Sequence, residues 1–200
     1  MSNPGNRPQT DNELVDWNAE LRPSCVALSC NGEVITHAEL AKLSLDAADY
    51  LYSLGVRAED RIAIFVPVAS TDYLALALGA MRLGAIAACL NARFKIRELN
   101  HAIDNSGCKL LFYAAMLKEV VEASTAHDRT MALQLEEVRS EWREERASRS
   151  GWDPARAPVG ADAPARIIYT SGTTAMPKAC LHTHGAMLHQ GFSVAERLEM

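Results

Sequence analysis

The sequence predicts an α/β fold: a mainly parallel sheet with helices on both faces. Three observations carry this. Short apolar runs alternate with longer stretches of helical period along the chain. Several of those runs are apolar at every position, as strands covered on both faces require. Glycines and capping hydroxyls punctuate the boundaries between them. With 48% hydrophobic residues, the 200-residue chain can bury a sizeable core.

Residues 1–23 read as a flexible tail with a short helix. "CVALS" (25–29) and "EVITH" (33–37) flank Asn31-Gly32, a pair that supplies the positive φ angles of a two-residue hairpin turn. Thr36 and Glu39 have capping-box spacing; Leu40, Leu43, Ala47, Leu51 and Leu54 then share one helix face, and Gly55 stops the helix. "RIAIFV" (61–66) is a buried strand, Ser70 caps a helix through Leu83, Gly84 ends it, and "AIAAC" (85–89) is the next strand. The apolar stretch from Tyr73 to Leu90 is broken by Arg82 and Gly84, so it reads as helix plus strand and not as a membrane span. "LNARFK" is a loop, Ile96 to Ser106 a helix stopped by Gly107, "KLLFY" (109–113) a strand, and Ala114 to Ser124 a further helix. Between Glu136 and Arg149 nine of fourteen residues are charged, with Glu145 and Arg149 spaced to pair along a helix, which reads as a solvated surface helix. Residues 150–165 read as an internal linker, since positions 151–165 hold three prolines and five alanines. "ARIIYT" (165–170) and "KACLHT" (178–183) are strands on either side of a loop, after which Thr183 or His184 caps a helix through Leu198.

Charge and composition exclude several classes. A net charge of −5, with no Lys/Arg cluster, disfavours nucleic acid and favours a small-molecule partner. The polar start "MSNPGNRPQTDN" lacks the apolar core of a secretory signal, so a cytoplasmic location is expected. Cys25, Cys30, Cys89, Cys108 and Cys180 are odd in number and show no C-x-x-C spacing; they read as reduced, mostly buried thiols. His182 and His184 would share a strand face, but no third metal ligand is in view, so packing or capping is the expected role for them and for His189. Asp72 reads as a charge favoured by a helix start, and Asp104 as facing water.

The chemistry concentrates in "YTSGTTAMPKACLHTH" (169–184). Hydroxyls of Ser171, Thr173 and Thr174, with backbone N–H groups around Gly172, can wrap phosphate oxygens, and Lys178 can supply positive charge. By chemistry alone the run reads first as a plain turn and second as a phosphate cradle. It is neither G-x-x-x-x-G-K-[ST] nor G-x-G-x-x-G.

"YTSGTTAMPKA" resembles the signature loop of the adenylate-forming, or AMP-binding, superfamily, Y-T-S-G-T-T-G-x-P-K-G, departing from it at Ala175 and Ala179. The stretch from "ITHAELAKL" to "CKLLFY" resembles the family's lead-in, so the likeness covers about residues 24–198. "TSGTT" and "LNARFKIRELNHAIDNSG" are closer to acyl- and aryl-CoA ligases than to peptide-synthetase domains. The resemblance implies an incomplete N-terminal domain of the adenylate-forming enzyme fold over residues 24–200, with 169–179 as its phosphate-binding loop. It also implies the reaction of an acid–thiol ligase. A carboxylic acid and ATP give an acyl-adenylate and pyrophosphate, and the acyl group then passes to coenzyme A, a chemistry that serves fatty acid metabolism. Thr170, Ser171, Gly172, Thr173, Thr174 and Lys178 would hold the β- and γ-phosphates, with Mg2+ beside them. Family members are much longer. Their magnesium-associated acid, ribose-binding aspartate, hinge and C-terminal domain with its catalytic lysine lie outside these 200 residues. Neither catalytic residues nor metal ligands are therefore expected here, and the chain alone is expected to be inactive, with the missing C-terminal part or a second copy as partner. The alternative is a non-catalytic phosphate-binding or interaction module that retains the fold. Ala175 in place of glycine costs about 1 kcal/mol or more if φ must be positive. Ala179 stands where a glycine would let backbone pack closely on the sheet.

Overall fold

A computed structural model describes residues 7–67, 70–143, 152–153, 159–170 and 176–197. The chain starts with α1 (Asp11–Leu21) and a hairpin of β1 (Val26–Cys30) and β2 (Glu33–Thr36). Asn31 (φ 53°) and Gly32 (φ 79°) make its turn, as the Asn-Gly pair predicts. Then come α2 (His37–Ser53), β3 (Arg61–Val66), α3 (Thr71–Arg82), β4 (Ile86–Asn91), α4 (Ile96–Ser106) and β5 (Leu110–Tyr113). A short 3-10 turn leads to α5 (Lys118–Glu122) and α6 (Ala126–Arg129), followed by β6 (Met131–Gln134) and α7 (Leu135–Arg143). The described elements end with β7 (Pro164–Thr170), β8 (Lys178–Thr183) and α8 (His184–Arg197).

Six strands form the main sheet in the order β6-β5-β3-β4-β7-β8. The first five run parallel, and β8 turns back antiparallel on β7. This is the expected α/β architecture. In β3, Ile62 and Ile64 face a core shared with α2, α3 and α7, whereas Ala63 and Phe65 face one shared with α4, α5 and α6. Both sets are fully buried, which explains why the run is apolar at consecutive positions. Ile62, Ile64 and Phe65 each stabilise the fold by about 1.5–3 kcal/mol relative to exposure.

Helix ends follow the local signals. Glu39 N donates to Thr36 Oγ1 (3.3 Å) while Thr36 N donates to Glu39 Oε2 (2.7 Å). Tyr73 N donates to Ser70 Oγ (3.1 Å), Ala186 N donates to Thr183 Oγ1 (3.3 Å), and Gly107 closes α4 in the left-handed region.

Several readings need correction or addition. The charged helix is not a solvated surface element: Leu135, Val138 and Trp142 of α7 are buried, and Arg139 and Arg143 pair with Asp72 and Glu33. Its predicted continuation, with Glu145 and Arg149, lies outside the described residues. Asp104 does not merely face water but pairs with Arg129. Asp72 sits in the first turn of α3, where the helix dipole favours it, yet the two arginines hold it as well. The five cysteines are free, but only Cys108 is buried; Cys25 and Cys180 are exposed. β6 is an element that the sequence pattern did not reveal. β7 starts at Pro164, inside the stretch read as linker, and Trp152 packs against the α2/α3 core. No helix among the described residues is long and apolar enough to cross a membrane.

Candidate functional site

β7 lies beside β4 in parallel register, Cys89 opposite Ile168, so its carboxyl end leaves the sheet at the edge where β4 ends in Asn91. Ligands of open α/β sheets collect at that edge. A cavity of about 310 Å3 opens there, lined by Val66, Pro67, Tyr73, Leu90, Asn91, Ala92 and Arg93. Burial pushes the Tyr73 phenol and the Cys89 thiol up, which favours the neutral form of each.

Of the six residues that the sequence singles out, the structure places two. Thr170 is the last residue of β7, and Lys178, the first of β8, is its direct cross-strand partner. Both are exposed, and Thr170 Oγ1 lies 3.5 Å from the Lys178 carbonyl it donates to. Among the described residues Lys178 has no acidic partner. Ser171, Gly172, Thr173 and Thr174, with Ala175, lie outside the described residues. Ala179, opposite Tyr169, is exposed on the edge strand.

The two feet of this hairpin rest on α4. Tyr169, the residue before Thr170, is buried edge-on to Phe94, with ring centroids 6.0 Å apart. Its hydroxyl donates to Ala102 O (2.9 Å) and lies 3.3 Å from Asn105 Oδ1. Burial raises its pKa and keeps the phenol neutral. On the returning side, His101 Nε2 lies 3.0 Å from Pro177 O. A carbonyl only accepts, so this nitrogen carries the proton. His101 and Asn105 escaped sequence analysis because they sit 76 and 64 positions from the partners that give them meaning.

His184 is not on a strand but opens α8, fully buried, with Nδ1 2.9 Å from Asp11 Oδ2. It ties α1 to the start of the last helix, a packing role of the kind expected. Among the described residues no three His, Cys, Asp or Glu side chains come together as a metal site.

The five parallel strands with β8 turned back on β7 share the fold of the N-terminal domains of adenylate-forming enzymes. The chain belongs to the AMP-binding enzyme family, which it matches over residues 15–200. It is 30% identical over 166 residues to the long-chain-fatty-acid–CoA ligase FadD13 of Mycobacterium tuberculosis, covering 83% of this chain and 33% of the relative. A feruloyl-CoA synthase from Amycolatopsis sp is 32% identical over 167 residues, covering 84% and 32%. The chain thus spans about a third of the length of these curated relatives. Among solved structures, the inhibitor-bound N-terminal domain of FACL13 from Mycobacterium tuberculosis superimposes with a TM-score of 0.76 at 27% identity, over 88% of this chain and 44% of that one. VinN shares the fold alone, with a TM-score of 0.82 at 22% identity over 94% and 47%.

Proposed function

We propose that these residues form the phosphate-gripping part of an ATP-dependent acyl-CoA synthetase of the cytoplasm. In the reaction a carboxylate oxygen attacks the α-phosphorus of ATP and expels pyrophosphate; the sulfur of coenzyme A then attacks the acyl carbon and releases AMP. The observation that carries the reading is Lys178, an ammonium without a described acidic partner, held directly across from Thr170 at the carboxyl edge of the sheet. Hydroxyls, N–H groups and an ammonium complement phosphate oxygens. In this reading Thr170, Ser171, Gly172, Thr173, Thr174 and Lys178 hold the β- and γ-phosphates. The donor set contains no carboxylate, so Mg2+ would arrive on ATP and neutralise phosphate charge without a ligand assigned from this chain. The relatives' names support a carboxylic acid as substrate, fatty or aromatic.

Titration calorimetry of the 200-residue chain with pyrophosphate and with ATP plus magnesium tests this. Lys178→Ala should weaken both by roughly tenfold or more, because a charge-assisted contact is removed; equal affinity in the two proteins rejects the assignment. In the same reading these residues alone do not complete the reaction. With ATP, magnesium, coenzyme A and a panel of fatty and aromatic acids they should release no pyrophosphate above background, and robust release would show a complete site within them.

A further inference from the structure

We propose that His101 is the positioning residue that sets Lys178 against the phosphates, an inference that rests on the phosphate-gripping reading above. β8 is the outer strand of the sheet, and Lys178 to Leu181 are exposed. On one side it has the β7 ladder; on the other, no described strand. The ladder therefore holds its first residue, Lys178, from one side only. Pro177 cannot help through its own nitrogen, since proline has no N–H to donate to a ladder. Its carbonyl is the polar group left at that point of the backbone, and His101 Nε2 takes it at 3.0 Å.

The grip is one half of a pair. Tyr169 fastens the outgoing foot of the hairpin to Ala102 O and Asn105, and His101 fastens the returning foot from the same helix. Thr170 and Lys178 are each the next residue along from a fastened one and are cross-strand partners. The spacing of the two feet, set by the β7/β8 ladder, is therefore also held from α4. That helix is rigid: Leu99, Ala102 and Ile103 are in the core and Gly107 closes its end. Tyr169 is buried and holds its foot by packing and by its hydroxyl together, whereas His101 is only half-buried and reaches its foot through the contact to Pro177 O. Without it, the returning foot keeps its strand pairing but loses its tether to α4. The ammonium of Lys178 then samples positions off the phosphate, where a displacement of about 1 Å already weakens an oriented contact.

Two variants of the full chain separate this from a structural role. His101→Leu keeps the volume and removes the donor; His101→Gln retains an N–H able to reach the carbonyl. For His101→Leu, pyrophosphate affinity by calorimetry should fall roughly fivefold, the worth of one neutral hydrogen bond. The urea midpoint should fall by no more than the loss of one hydrogen bond allows, amide exchange at Lys178, Ala179 and Cys180 should quicken, and His101→Gln should restore the midpoint, and affinity to within about twofold. If His101→Leu binds as tightly as wild type while Lys178→Ala binds less tightly, positioning by His101 is wrong and the phosphate reading stands. A wild-type chain that binds no pyrophosphate, or a Lys178→Ala variant that binds as well as wild type, overturns both. Loss of affinity together with a lowered urea midpoint, not rescued by glutamine, reduces His101 to packing and overturns the inference.

Discussion

Arg143 holds three groups from two other elements. Its guanidinium donates to Glu33 Oε1 (2.8 Å), Asp72 Oδ1 (2.5 Å) and the Thr71 hydroxyl, while that hydroxyl donates to Glu33 Oε2 at 2.5 Å. One side chain on α7 thereby locks the β1/β2 hairpin to the start of α3. Hydrogen bonds from Arg143, then from Thr71, hold the Glu33 carboxyl below its usual range. A depressed native pKa means that the unfolded chain takes up the proton first. The stabilisation is complete above the ordinary carboxylate value and drains away as pH falls through the lower native one. Urea unfolding from about pH 7 down to about pH 3 should show a smaller loss of stability in Glu33→Gln than in the wild type. Parallel pH profiles for the two proteins would show that Glu33 is not linked to folding.

Between elements, α2 and α3 approach each other closely at Gly79. A Cβ at Gly79 would lie 2.8 Å from Ala47 Cβ, 2.8 Å from Ala48 N and 2.9 Å from Ala47 C. Two of these neighbours are backbone, so no rotamer change relieves the contact. Alanine in place of glycine favours a helix by about 1 kcal/mol, whereas overpacking costs about 1–3 kcal/mol. The backbone contacts put this site toward the upper end, so Gly79→Ala should lose about 1–2 kcal/mol net in urea unfolding. An equally stable variant would mean that the helices can separate at no cost. Element boundaries were largely legible, because caps, glycine stops and apolar periods act within a few residues. β6 was not: four residues without flanking turn signals read as strand only once β5 offers a partner. The charges of α7 misled for a related reason, since sequence shows the charge and not the acid packed against it.

At the scale of the whole molecule, β8 and α8 form a flank that leaves apolar side chains uncovered among the described residues. Leu188 of α8 is buried, and Phe192 is half-covered with the Arg7 guanidinium 5.8 Å from its ring centre. Leu181 remains 58% exposed and Val194 49%. An unpaired edge strand beside apolar side chains offers backbone groups to another chain. The isolated 200 residues should bind a hydrophobic dye and self-associate with rising concentration in sedimentation velocity, and Leu181→Lys should suppress both. A wild type that stays monomeric and ignores the dye would show that this flank is adequately closed.

By itself the sequence determined the class of fold, most element boundaries, the hairpin turn at Asn31-Gly32 and the motif around Lys178. All of these rest on periods of two or 3.6 residues, on caps, or on a contiguous run. Tertiary structure alone decided the strand order β6-β5-β3-β4-β7-β8, the burial of α7 and the fastening of Tyr169 and Pro177 to α4. Such pairings join residues many tens of positions apart, where loop-closure entropy depends only weakly on separation and so marks no particular partner. His101 is an ordinary helix residue until the sheet brings a proline carbonyl to within 3.0 Å of its ring.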